Sequence, residues 1–407
     1  MHRVNPVPVR RAVLVVVCTA LMVLSGTAVR GTPAAPPTPA PSPGVAATDL
    51  TARLDTAVQQ VMRELGIPGA IVGVSVPGVV DHTRAYGTGD KAVGTPMSVD
   101  DHMRIGSVTK TFTGTAVLQL VEQGRIALTD PIGKYVAGVP AGDDITLRML
   151  RDMHSGLYSF EQDPEFVTTV LDELPKGPAA GAVTPQRLLE ITARHPLNFA
   201  PGSRFQYANV NLVLLGMVVE KVTGQSLAEY FQQHIFDPLR LTRTSYPADG
   251  QLPAPYAHGY TLAPDGKETD ASLWNPAWAG AAGAMVSTVA DLKTWVLALA
   301  KGTLLDPQLQ RERMAQVDRT GLGALYRFAV FDVNGWWGHN GSIPGYTTVA
   351  VAIPERNATL VVLADTDIPA QHAAGRIAEV VTQLVTPDNV YTLAAPAPAP
   401  TPTPTGR

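Results

Sequence analysis

The chain is poor in the residues that mark several large functional classes. It has a single cysteine, Cys18, in 407 residues, so neither a disulfide framework nor a Cys/His zinc spacing can be built from it. Charged residues make up 16%, with a net charge of -4, against a usual charged share of about 25%. No basic stripe or RNA-binding signature is present, which argues against nucleic acid as a partner. A Gly-rich phosphate loop and a His-Glu-x-x-His helix are both missing, so no cofactor and no metal are expected. The Gly-x-Ser-x-Gly nucleophile elbow is absent too. What remains is a weakly acidic, globular chain, 45% hydrophobic, whose stability must come from its core.

Both ends read as non-globular. Arg3, Arg10 and Arg11 precede the apolar run 12–24, and Gly26-Thr27-Ala28 offers small residues at a cleavage point, the pattern of a secretory signal over 1–28. The apolar run is shorter than the ~20 residues a membrane span needs, so stable insertion of the mature chain is not expected. An uncleaved N-terminal anchor is the competing reading. Residues 29–47 are a Pro/Ala-rich linker and 394–407 a Pro/Thr-rich tail, both extended in expectation.

Between them, 48–393 is long enough for one large domain. Residues 50–65 are helix-like, and 70–76 and 83–86 are strand candidates. Near the other end, 328–333 and 336–339 flank Asn334-Gly335 as a hairpin, 347–353 and 359–364 are apolar β-rich runs, and 370–385 is helical. Residues 211–222 form a helix that Gly224 can stop, and Ser226-Leu227-Ala228-Glu229 is a capping box. Strands thus gather at both ends of the domain, 48–130 and 280–393, with a mainly helical region, 131–279, inserted between them.

Three motifs carry the chemistry. Ser107-Val108-Thr109-Lys110 is the sole Ser-x-x-Lys and precedes the helix-patterned run 111–123. Positions i and i+3 share a helix face, so the amine lies beside the hydroxyl, the minimum for an activated serine nucleophile. The bland reading is an N-cap serine and a surface lysine. Tyr207-Ala208-Asn209 is the sole Tyr-x-Asn, and an extended backbone would point both side chains the same way. His339-Asn340-Gly341 follows the hairpin on a strand.

Ser-x-x-Lys, Tyr-x-Asn and His-x-Gly in that order resemble the serine penicillin-recognising family: class C β-lactamases, D-alanyl-D-alanine carboxypeptidases and related esterases. The likeness runs from about residue 50 to 385, taking in His154-Ser155-Gly156-Leu157, the run 281–288 and the run 338–346. It implies an α+β fold of β-lactamase type, one antiparallel sheet flanked by helices with the active site in a cleft against the inserted region. The departure is the third motif. Class C β-lactamases carry Lys-Thr-Gly there and this chain has none, which favours a peptidase or esterase. His154-Ser155-Gly156 also fits His-x-Gly but sits in a turn before the tyrosine motif, and is taken as a decoy.

The resemblance implies that Ser107 is acylated, with Lys110 as a neutral base or as a cation beside an ionised Tyr207. Tyr207 would pass the proton to the leaving group. Asn209 would hold the acyl-side amide; its bland role is to cap the helix near Asn211. His339 would contact the leaving group or its carboxylate, and an imidazole supplies less positive charge than lysine at neutral pH. Gly341 permits close backbone approach, and the amides of Ser107 and Ser342 would form the oxyanion hole. Arg327 is either a carboxylate binder or, more conservatively, a solvated strand-edge side chain, and at least one of Trp336 and Trp337 should face the core. The expected function is a secreted or cell-wall-associated serine acyl hydrolase, foremost a D-alanyl-D-alanine carboxypeptidase-like enzyme acting on a small peptide or ester, peptidoglycan stem peptides among them. An esterase and a β-lactamase are the rivals, with β-lactams as substrates or inhibitors. A catalytically silent cell-wall-binding protein is the reading from another class.

Overall fold

The computed structural model describes residues 43–393 except 169–172, 177–182, 248, 264, 316–317, 320–323 and 370. The expected signal, most of the linker and the C-terminal tail lie outside the described residues. Strands β1 (Gly69–Val76), β2 (Val80–Asp90) and β3 (Thr95–Pro96) come from the beginning of the domain. Strands β4 (Asp318–Arg319), β5 (Leu325–Arg327), β6 (Val330–Val333), β7 (Trp336–Ile343), β8 (Tyr346–Ile353) and β9 (Ala358–Ala364) come from its end. They form one antiparallel sheet in the order β3-β2-β1-β9-β8-β7-β6-β5-β4. The two chain ends meet in its middle, where Ala70 pairs with Ala364 and Val74 with Leu360.

All residues of β8 and β9 are buried regardless of alternation, so the sheet is covered on both faces. Helices α4 (Val289–Lys301) and α5 (Ala373–Val385) both pack on β8 and β9, and α1 (Pro43–Leu65) lies against α5. Helix α2 (Thr109–Glu122) has no polar face: its residues are buried continuously from Thr109 to Leu120, as expected of a helix enclosed on all sides. Phe112 stacks on Trp295 of α4 at 3.9 Å and 13°, and the Trp295 indole donates to Thr111 Oγ1 at 2.8 Å. Truncating a buried aromatic of this kind costs about 3–5 kcal/mol, so α2 is anchored by its first turn.

Several boundaries differ from expectation. Helix α1 begins at Pro43, inside the stretch assigned to the linker. The strand expected from 328 begins at Val330, because Phe328-Ala329 form a tight turn with Ala329 at φ +52 that separates off β5. Helix α5 starts at Ala373, where the His372 side chain accepts from Gly375 N. The helical region contains a β-ribbon, Tyr260–Leu262 paired with Glu268–Asp270. Helix α3 (Asn209–Thr223) ends at Gly224 in the left-handed region, φ 73, and both bonds of the Ser226/Glu229 capping box form. Among the described residues, no helix is long and apolar enough to cross a membrane.

Candidate active site

Ser107 lies in a single 3-10 turn, Gly106–Val108, that runs straight into α2. It makes no capping bond, so the bland reading of an N-cap serine is not what the fold uses. The Lys110 ammonium donates to Ser107 Oγ at 2.7 Å and to the Ala282 carbonyl at 2.8 Å. Lys110 is fully buried, and burial pushes its pKa down to about 7, against a smaller upward pull from Glu161. At neutral pH the amine is therefore uncharged about half the time, and the same contact, reversed, lets the serine hydroxyl donate to it.

Tyr207 precedes α3 in an extended segment, and its hydroxyl donates to Ser107 Oγ at 3.2 Å. Lys110 Nζ sits 5.1 Å from the Tyr207 ring centre. Serine, lysine and tyrosine thus share one hydroxyl oxygen, although residues 107 and 207 are far apart in the chain. Asn209 occupies the first turn of α3 without capping it, since the N-cap is Ala208 with no side-chain bond. Its Nδ2 instead donates to Glu161 Oε1, and its buried Oδ1 has no partner.

Strand β7 forms the opposite wall. A Cβ on Gly341 would lie 2.1 Å from the Ile105 carbonyl oxygen and 3.1 Å from Ser107 N, and one on Gly106 would lie 2.9 Å from Ser342 N. Only glycine at 341 admits this approach, which brings the amides of Ser107 and Ser342 to one corner. Ser342 itself is exposed. His339, mid-strand and buried, packs its ring on Phe331 at 4.5 Å and lies 6.4 Å from the Tyr207 ring. Its Nδ1 contacts the Asn340 carbonyl oxygen, an acceptor, so the ring proton belongs on Nδ1. Burial, with Lys110 nearby, pushes its pKa down to about 3, so the ring is neutral.

Glu161 is the residue that the sequence did not reveal. It lies in a short 3-10 turn, Phe160–Gln162, and is buried. Its two oxygens accept from Asn209 Nδ2 and Ser159 Oγ, which places a carboxylate beside the Tyr-x-Asn motif. The turn is braced: the Asp163 side chain accepts from Phe166 N, His195 Nε2 meets Asp163 Oδ2 at 2.6 Å, and Tyr158 stacks on His195 at 3.8 Å. No motif surrounds Glu161, and only its place between a Ser-Gly-Leu turn and an N-capping Asp163 could have drawn attention to it.

Of the other side chains singled out in the sequence, Arg327 departs from expectation. Arg327 is neither solvated nor available: it donates to Asp332 Oδ2 at 2.8 Å and to the Met314 carbonyl, with Trp337 beneath it at 5.1 Å. Trp336 is the tryptophan that enters the core, its indole donating to the Asn389 carbonyl at 2.7 Å. His154 bonds the Asp152 carbonyl and stacks edge-on to Phe205, and is not among the groups around Ser107. Among the described residues, no cluster of His, Cys, Asp or Glu could hold a metal ion.

A serine with a buried lysine three residues on, a tyrosine on the same oxygen and two amides from facing walls is the arrangement that suits a serine hydrolase. The chain belongs to the Beta-lactamase family, whose sequence profile matches residues 54–383. Its structure is similar to a D-stereospecific amidohydrolase from Streptomyces sp., with a TM-score of 0.72 and 30% identity, covering 83% of this chain and 99% of that one. It is also similar to a D-amino acid amidase from Ochrobactrum anthropi SV3, with a TM-score of 0.69 and 25% identity, covering 81% and 98% respectively. Over 201 residues it is 35% identical to the esterase EstB of Burkholderia gladioli, spanning 47% of this chain and 50% of the esterase.

Proposed function

We propose that the protein is an exported amidase or peptidase that cleaves the amide bond of small D-aminoacyl compounds and requires their free α-amine. Ser107 Oγ attacks the carbonyl carbon, with neutral Lys110 taking its proton. The C–N bond breaks as Tyr207 delivers a proton to the leaving nitrogen, and water then cleaves the acyl-Ser107 ester. The amides of Ser107 and Ser342 hold the developing oxyanion.

The observation that carries the amine requirement is the pairing of Glu161 with Asn209. A buried carboxylate and the partnerless Asn209 Oδ1 put acceptors and a negative charge on the acyl side, against the one Nδ2 hydrogen that Glu161 leaves over, which suits an ammonium and repels a carboxylate. A D-alanyl-D-alanine carboxypeptidase acting on stem peptides would use the same serine chemistry on an acylated, uncharged amine; Glu161 is what moves the reading away from it. The similarity to an esterase supports ester hydrolysis by the same site as a second activity.

The test compares D-phenylalanine amide with its N-acetyl derivative. A hydrogen bond to a charged group contributes about 1.5–3 kcal/mol, so wild-type kcat/KM should favour the free amine by ~10- to 100-fold. Glu161→Gln should erase that preference. Equal turnover of the two compounds by the wild type would refute the amine requirement.

A further inference from the structure

The wall around Tyr207 has a character that bears on what departs from the acyl-enzyme. Phe331 lies parallel to Tyr207 at 6.4 Å and 11°, and Tyr326 meets it edge-on at 6.1 Å and 85°. His339 closes the group, in contact with all three rings. With Nδ1 turned to the Asn340 carbonyl, His339 presents a buried Nε2 lone pair that has no partner. The Tyr326 hydroxyl is likewise buried without one.

The cations nearest this wall, Lys110 beside Tyr207 and His339 and Arg313 beside Tyr326, are held by other partners. Lys110 is committed to Ser107 and the Ala282 carbonyl. Arg327 is held by Asp332, the Met314 carbonyl and Trp337. Arg313 is fully buried and donates to the Thr111 carbonyl and Thr115 Oγ1 of α2. Arg151 is bound through two nitrogens to Asp152. A carboxylate entering here would lose its water and meet only cations whose donors already serve other groups, whereas a neutral amide or amine meets aromatic faces and a hydrogen-bond acceptor.

Because Tyr207 is the group that protonates the leaving nitrogen, the space it borders is the leaving-group side. We propose that this side is a neutral subsite, walled by Tyr207, Tyr326, Phe331 and His339, that selects uncharged leaving groups (ammonia or a carboxamide-terminated amine) and rejects those bearing a free carboxylate. The inference rests on the acyl-transfer reading given above. It adds a rule for the leaving side that is independent of the acyl-side amine.

The experiment uses matched pairs sharing one acyl group: D-phenylalanyl-D-alaninamide against D-phenylalanyl-D-alanine, and N-acetyl-D-alanyl-D-alaninamide against N-acetyl-D-alanyl-D-alanine. Each pair's kcat/KM ratio is divided by its ratio in alkaline hydrolysis, which removes the intrinsic difference in leaving ability. In whichever acyl series the enzyme accepts, the corrected ratio should favour the carboxamide by at least tenfold, and His339→Lys should lower it by at least tenfold. A wild-type ratio near one, or one favouring the free carboxylate, overturns the proposal even if the variant fails to fold. Turnover confined to the N-acetyl series refutes the amine requirement while its ratio still decides the leaving-group rule. Turnover of neither carboxamide overturns both.

Discussion

Replacing Lys110 by methionine should abolish acylation and yet stabilise the protein, in a pH-dependent way. In the unfolded chain the amine titrates near its ordinary 10.5, and in the fold near about 7. The native state therefore binds fewer protons than the unfolded state between those values, and stability rises with pH across that window. Below pH 7 the burial of the charged amine costs roughly 5 kcal/mol, at about 1.4 kcal/mol for each tenfold loss of proton affinity. By pH 9 that cost has fallen to about 2 kcal/mol. Methionine removes it, fills similar space and leaves the Ala282 carbonyl and Ser107 without their donor, a loss of about 2 kcal/mol. Lys110→Met should thus be more stable than wild type by about 3 kcal/mol at pH 6 and nearly equal to it at pH 9. Urea unfolding of both proteins at pH 6, 7.5 and 9, read by tryptophan fluorescence, measures this directly. A variant less stable than wild type at pH 6, or a difference that does not change with pH, would refute the assignment of a buried, easily deprotonated Lys110.

The same titration sets the activity profile: kcat/KM should climb with pH on an acid limb near 7 as Lys110 loses its proton, and a limb that stays at its full value down to pH 5 would count against neutral lysine as the base. Ser107→Ala should show no acyl adduct by intact mass with ester, amide or penicillin, while its circular dichroism matches wild type; an adduct in this variant would remove Ser107 as nucleophile. Tyr207→Phe keeps the ring stack on Phe331 and loses the proton carrier, so kcat should fall by about 10²–10⁴ with KM little changed, and an effect confined to KM would speak against the role. Gly341→Ala puts a methyl 2.1 Å from the Ile105 carbonyl oxygen, which must separate the Ser107 and Ser342 amides; activity should drop at least 100-fold, and near-normal turnover would contradict the oxyanion corner.

The contact between Ser107 and Lys110 was legible in the sequence because its geometry is local: three residues on a helical path bring the amine to the hydroxyl whatever the rest of the chain does. Tyr207 and His339 were legible only through the order of the motifs, since nothing in their neighbourhoods states that they converge. Glu161 was not legible. It sits in an irregular turn with no periodicity, and its partner Asn209 is 48 residues away. Arg327 was misread for a related reason, its ion pair with Asp332 being created by the tight turn at Phe328-Ala329, which the apolar pattern 328–333 disguised as strand. Strands at both ends followed from where the β-rich runs fall, and the family resemblance joined them into one sheet, but the length of β2 did not follow, because its solvent-facing residues break the hydrophobic alternation.

The pairing of Ala70 with Ala364 also fixes when during its own synthesis the protein can become active. A ribosome that has released Ser107 and Lys110 has not yet made Gly341 and Ser342, nor the strand that seats β1. On the proposed mechanism the serine therefore emerges long before the corner formed with Ser342 exists, and contacts so distant in sequence form slowly. If the site works as proposed, hydrolytic competence arrives only with the final stretch of the domain, the growing chain carries an unarmed serine through translation, and a truncated product that lacks β7 to β9 should leave amides and esters intact.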